Sequence, residues 1–195
     1  MQDFFAVLEE ERRPWIDVEK LQQKFVRLSA LVHPDRVHEL SVQEKEKATE
    51  SFSTLNAAYQ GLRDAKSRVS HLIQLQRGTP PKTIQAIPDA TAKLFMEMAE
   101  FCQRLDGFLS ERAKVESPMM KVQMFERGLD LSEQIKRAQE TLNHRRNQLM
   151  EKLKEADSRW RSGDSVEELE RIYHEFSYLD RWAGQLQERL GKIMA

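Results

Sequence analysis

Cysteine occurs once, at position 102, so no intrachain disulfide can form and a reducing compartment is the expected setting. The five histidines, at 33, 38, 71, 144 and 174, are dispersed, and no Cys/His cluster has the spacing of a metal site. The side chains are therefore expected to hold neither metal nor cofactor. Glycine is scarce, with 7 in 195 residues, and no glycine-rich phosphate loop can be read, which argues against the chain being an ATPase. No convergent set of histidine, acid and nucleophile is legible either, so the expectation is a protein that is not an enzyme. Apolar runs long enough to span a bilayer are missing, and the first residues are acidic and amphipathic where a secretory signal would be basic and then apolar. A bacterial cytoplasmic protein is the simplest expectation. Net charge is nearly absent, with 31 Lys and Arg against 32 Asp and Glu, so no global field points to nucleic acid or an anionic membrane. Electrostatic recognition must be local.

What is present is helical periodicity. Leu21, Phe25, Leu28 and Val32, preceded by Val18, fall at the three-and-four spacing of one helical face over Lys20 to Val32. Pro34 stops that helix, because proline disfavours helical geometry at the residue before it and cannot donate to the preceding turn. Ala48, Phe52, Leu55, Tyr59 and Leu62 repeat the period over a second helix, Ser41 to Arg63. Two antiparallel helices joined by a loop of His33, Pro34, Asp35 and Arg36 expose at the tip a titratable ring, a rigid kink and a carboxylate. Lys20, Lys24 and Arg27 lie at i, i+4 and i+7, which predicts a basic stripe on an exposed face of the first of these helices. Around the hairpin we expect a short helix over Asp3 to Glu10, a loop whose Trp15 and Ile16 fold back as a hydrophobic lid, an N-cap at Asp17, and a further helix over Ala65 to Gln76.

This arrangement resembles the J-domain. Asp3-Phe4-Phe5-Ala6-Val7-Leu8 is similar to its opening helix, and Leu55-Asn56-Ala57-Ala58-Tyr59-Gln60-Gly61-Leu62-Arg63-Asp64 to its third-helix signature, with Arg68 near the start of the fourth helix. Further on, Lys93-Leu94-Phe95-Met96-Glu97-Met98-Ala99-Glu100 and Phe176-Ser177-Tyr178-Leu179-Asp180-Arg181 resemble segments of the HscB (Jac-type) co-chaperones. The resemblance implies that His33, Pro34, Asp35 and Arg36 dock a DnaK/HscA-type ATPase chaperone and speed its hydrolysis. Beside that loop, Lys20, Lys24 and Arg27 would steer an acidic surface of the chaperone. It implies too that the second half binds a client, the iron–sulfur scaffold protein (IscU-like), through Phe95, Met96, Ala99, Glu100, Gln103 and Tyr178. Of these six, only Met96 matches the family in residue type.

The only Pro/Gly-rich stretch, from Gly78 to Pro88, divides the chain into a J-domain over 1–77, a linker over 78–88 and a three-helix bundle over 89–195. The bundle should begin at Asp89, whose side chain can cap a helix reaching Lys114 with Leu94, Met98, Phe101, Leu105 and Phe108 or Leu109 inward. Phe95 and Met96 lie beside that stripe and are expected as a surplus apolar patch open to a partner. Ser117-Pro118 starts a second helix running to Arg161, with Leu131, Ile135, Ala138, Leu142, Leu149 and Leu153 inward and a possible bend near Gly128. Gly163-Asp164 closes it and caps a third helix to Ile193, whose inner face is Val166, Leu169, Ile172, Phe176, Leu179, Ala183, Leu186 and Leu190. The span from Leu109 to Gly163 is several helical turns longer than the family leads one to expect, so the second helix is either extended or split. The fold class is thus all-α. A helical coiled-coil adaptor, with the hairpin purely structural, is the alternative to the co-chaperone.

Overall fold

The computed structural model describes residues 2–32, 41–82, 89–160 and 166–195. Among them all regular structure is helical: α1 (Phe4–Val7), α2 (Val18–Val32), α3 (Val42–Arg63), α4 (Ala65–Arg77), α5 (Asp89–Arg112), α6 (Pro118–Ser158) and α7 (Val166–Met194). The chain forms two compact units, one of Met1–Lys82 with Met150–Tyr173, the other of Thr83–Leu149 with His174–Ala195. The linker read at 78–88 contains the first of these divisions. Residues 150–173, which chain order assigns to the C-terminal bundle, group with the first unit.

In the first unit α1 to α4 each start on a side chain able to take up free amides. The Asp3 carboxylate accepts from the N–H of Phe5 and Ala6, Asp17 from Glu19 and Lys20, and Asp64 from Ser67. At α3 the Glu44 carboxylate returns to Ser41, accepting from its N–H at 3.0 Å and its hydroxyl at 2.7 Å. The expected opening helix is cut short after Val7, where the chain turns through Glu9 at φ 53°. Gly78 ends α4 at φ 78°, a conformation that costs a residue with a Cβ atom. Phe5, Leu8, Leu21, Ala58, Leu62, Val69, Leu72 and Ile73 are sealed from solvent, at roughly 1.5 to 3 kcal/mol for each large side chain. Gly61 admits the Phe4 ring, whose edge lies 2.8 Å from where a Cβ would stand.

The ends of α6 and α7 complete this unit. Asp157 receives the Arg13 guanidinium through both oxygens and the N–H of Trp15 at 3.2 Å, while the Trp160 indole donates to the Arg12 carbonyl at 2.9 Å. Glu170 takes Arg77 in a fork at 2.8 and 2.9 Å and also accepts from the N–H of Lys82. Ile16 is buried as the lid reading requires, and Trp15 is half-buried with the Lys154 ammonium 5.8 Å from its ring centre.

The second unit packs α5 against α6 and α7. Met98, Phe101, Leu105 and Phe108 face inward as expected, but so does Phe95 at 7% exposure, while Leu94 is only half-buried. Positions 94 and 95 differ by 100° around the helix, and the bundle turns the larger ring inward. Ala183, expected inward, is exposed. α6 begins at Pro118 and runs unbroken through Gly128 to Ser158, so the extra length is one extended helix. Gly163 and Asp164 lie outside the described residues. Arg189 forks onto Asp106 at 2.9 and 2.7 Å, and Arg145 meets the buried Glu175 at 2.6 Å, tying the three helices by charge as well as by core.

Candidate functional site

His33, Pro34, Asp35 and Arg36 lie outside the described residues, but the helices on either side are defined. α2 ends at Val32 and α3 starts at Val42, and the two pack with Leu21 and Tyr59 buried and the rings of Phe25 and Tyr59 stacked at 4.3 Å. Toward the loop the helices open onto a groove of about 510 Å³ lined by Val7, Leu28, Leu31, Val32, Lys47 and Leu55 among others.

The basic stripe differs from its sequence reading. Only Lys20 stands well clear, its side chain 80% exposed with the Asp17 carboxylate 4.0 Å away. Lys24, expected on an open face, is 29% exposed because it reaches Glu10 at 2.7 Å and the Glu9 carbonyl at 2.8 Å. Arg27 is exposed yet holds Glu9 at 2.6 Å. The turn that shortens α1 delivers these two carboxylates to α2, and no local pattern in the sequence announces it. An exposed pair such as Arg27–Glu9 is worth about 0 to 1 kcal/mol, so a partner's carboxylate can replace Glu9 at little cost.

Two further residues fix the base of the hairpin. The buried Arg68 guanidinium donates to the carbonyls of Pro14 at 2.8 Å and Leu62 at 2.6 Å, and burial pulls its pKa down to about 10, leaving it charged at neutral pH. His71 Nε2 accepts the N–H of Phe4 at 3.0 Å, and its ring stacks on Phe4 at 4.3 Å. A basic and an imidazole side chain amid the apolar run of α4 are the signal that could have found them.

On α5, Met96, Ala99, Glu100 and Gln103 share one exposed face, with Met96 at 66%. Phe95 does not join it in the open. It sits in the core with its ring 4.7 Å from that of the half-buried Tyr178, tilted by 44°. The described residues contain no group of three or more His, Cys, Asp or Glu side chains able to hold a metal, and no helix among them is long and apolar enough to cross a membrane. Cys102 is buried, and desolvation raises its pKa, which makes the thiol unreactive.

The DnaJ domain family matches residues 3–71. Over 114 residues the chain is 31% identical to the "Iron-sulfur cluster co-chaperone protein HscB" of Mus musculus, covering 58% of this chain and 48% of that one. Over 74 residues it is 34% identical to the "Co-chaperone protein HscB" of Proteus mirabilis (strain HI4320), covering 38% and 43%. Residues 3–71 thus carry a DnaJ domain, and the chain is similar to HscB-type J-domain proteins. It spans about half the length of the curated relatives it matches. Human co-chaperone protein HscB superposes with a TM-score of 0.64 at 21% identity, covering 96% of this chain and 81% of that one. HscB from Vibrio cholerae gives 0.57 at 16%, covering 96% of each. The shared fold is therefore all-α, a J-domain with a helical bundle. α1 to α4 are the helices of the J-domain, and the groove and basic stripe lie on them.

Proposed function

We propose that this HscB-type protein is a non-enzymatic co-chaperone that stimulates the ATPase of a DnaK/HscA-type chaperone and delivers to it a client, the IscU-like iron–sulfur scaffold protein. The observation that carries the reading is the DnaJ-family match over 3–71, which runs through His33, Pro34 and Asp35 between two defined helices. In this reading Asp35 engages a basic group on the chaperone, His33 and Pro34 fix the loop, and Arg36 with Lys20, Lys24 and Arg27 steers docking. Residues 1–77 recruit the chaperone and 89–195 hold the client, joined across 78–88. The client surface is the exposed face of Met96, Ala99, Glu100 and Gln103 with Tyr178 at its margin, and Phe95 supports Tyr178 from below.

The test is chaperone ATPase turnover with and without this protein. His33→Gln or Asp35→Asn should leave helicity and melting unchanged and abolish stimulation, and full stimulation by either variant would overturn the assignment. For the client, Met96→Ala should weaken scaffold binding without loss of stability. Phe95→Ala should instead destabilise the bundle by about 3 to 5 kcal/mol as a core ring does.

A further inference from the structure

The first three turns of α6 carry large apolar side chains that nothing among the described residues covers. Met119 is 74% exposed, Met120 47%, Val122 60%, Phe125 64% and Leu129 44%. They do not belong to the face that builds the bundle, which at this end of α6 is Met124, Gly128 and Ile135, with Ile193 and Phe108 against Gly128. At 100° per residue, Val122, Phe125 and Leu129 fall within about 60° of one another and roughly 110° round the helix from that inner face. In heptad terms Val122 and Leu129 occupy a and Phe125 occupies d. The seam then stops, because the next d and a positions are Ser132, buried with its hydroxyl on the Leu129 carbonyl at 2.7 Å, and Lys136.

We propose that this face docks the same face of a second copy of the chain, as a short parallel two-stranded coiled coil centred on Val122, Phe125 and Leu129. Charge selects both the occupant and its direction. Lys121 stands at g and Glu126 at e, and in a parallel pair each g residue meets the e residue five positions on in the partner. Two-fold symmetry therefore forms the Lys121–Glu126 pair twice. Both residues are exposed and take part in no ion pair among the described residues, whereas neighbouring Arg127 and Glu133 are matched with Glu111 and Arg137. An antiparallel pair would bring like edges together, setting Glu126 and Glu133 of one copy against those of the other. A β-branched residue at a, here Val122, also suits two parallel strands. The seam is only about two turns long and offers less than the ~800 Å² per partner of a standard interface, so the dimer is weak and reversible.

Sedimentation equilibrium of the full chain, from low micromolar to submillimolar concentration, tests this. The expected result is a monomer–dimer equilibrium in which Phe125→Asp raises Kd at least about tenfold with helicity and melting unchanged. Lys121→Glu and Glu126→Lys should each weaken association, and the double variant should restore it. A chain monomeric at every concentration overturns the proposal, as does a dimer indifferent to Phe125→Asp or a double variant no better than either single. If wild-type chain stays monomeric and Phe125→Asp instead weakens scaffold binding, the face belongs to the client and the second copy is excluded.

Discussion

At the base of the α2–α3 hairpin Leu21, Ala58 and Leu62 are sealed from solvent, whereas near its tip Leu31 is 70% exposed and Leu28 and Val32 are only half-buried. The same two helices therefore have a packed end and an open end. Local opening costs least where apolar contacts are fewest, and surfaces that must adapt to a partner are drawn from that end. The base adds polar anchors: Arg68 on two carbonyls, His71 on the Phe4 amide, and Asp157 on Arg13 and Trp15. Under the proposed docking of a chaperone at the loop, this division would hold the α2–α3 spacing at one end and leave the groove at the other able to adjust.

The largest expected difference between the two ends is in core truncation. Leu62→Ala should cost about 2 to 5 kcal/mol, because the cavity it leaves is walled by fully buried neighbours. Leu31→Ala should change stability by no more than about 0.5 kcal/mol. Urea midpoints of the two variants measure this directly. Equal shifts would mean that the tip is as well packed as the base and that the contrast is false.

The hairpin was legible because each of its helices carries an unbroken apolar period and because Pro34 must end the first of them. Asp17 as cap and Pro118 as first helical residue were legible from equally local signals. What escaped depended on partners distant in sequence. Asp157 lies 144 residues from Arg13 and Glu170 lies 93 from Arg77, so nothing near either carboxylate marks it as part of the first unit. Lys24 looked free because Glu9 and Glu10 seemed to continue α1, and only the positive φ at Glu9 turns them toward α2. Phe95 failed differently. A stripe through Leu94 and one through Phe95 both satisfy the helical period, and packing decides between adjacent positions.

A smaller effect is expected from the polar anchors. Arg68→Met keeps the bulk of the side chain and removes its donors, leaving the carbonyls of Pro14 and Leu62 unsatisfied in the interior. The cost should be about 1 to 3 kcal/mol, lowering the melting temperature. Because Arg68 serves the base, hydrogen exchange should accelerate for the buried amides of α3 and α4. It should stay the same at the first turns of α3, whose capping by Ser41 and Glu44 is separate. Uniform acceleration along α3 would show that the two ends unfold together.

The mildest way to separate base from tip is pH. His71 Nε2 accepts the Phe4 amide and so must be unprotonated, and burial holds its pKa below the ordinary 6.5, with Asp3 opposing that shift and Arg12 reinforcing it. As pH falls through 6.5 the unfolded chain takes up a proton that the folded base resists. Stability present above that pH is therefore lost progressively on acidification. His71→Gln removes the titration while its side-chain oxygen can still accept from Phe4. Melting temperatures between pH 7.5 and pH 5.5 (a window set by the histidine range of about 6.5) should fall more steeply for the wild type than for the variant. The difference between the two slopes isolates His71 from the remaining histidines, since they are present in both chains. Parallel slopes would mean that the imidazole takes up its proton as readily in the folded protein as in the unfolded chain, which the hydrogen bond from Phe4 opposes, and would place the acid sensitivity of this protein outside the base of the hairpin.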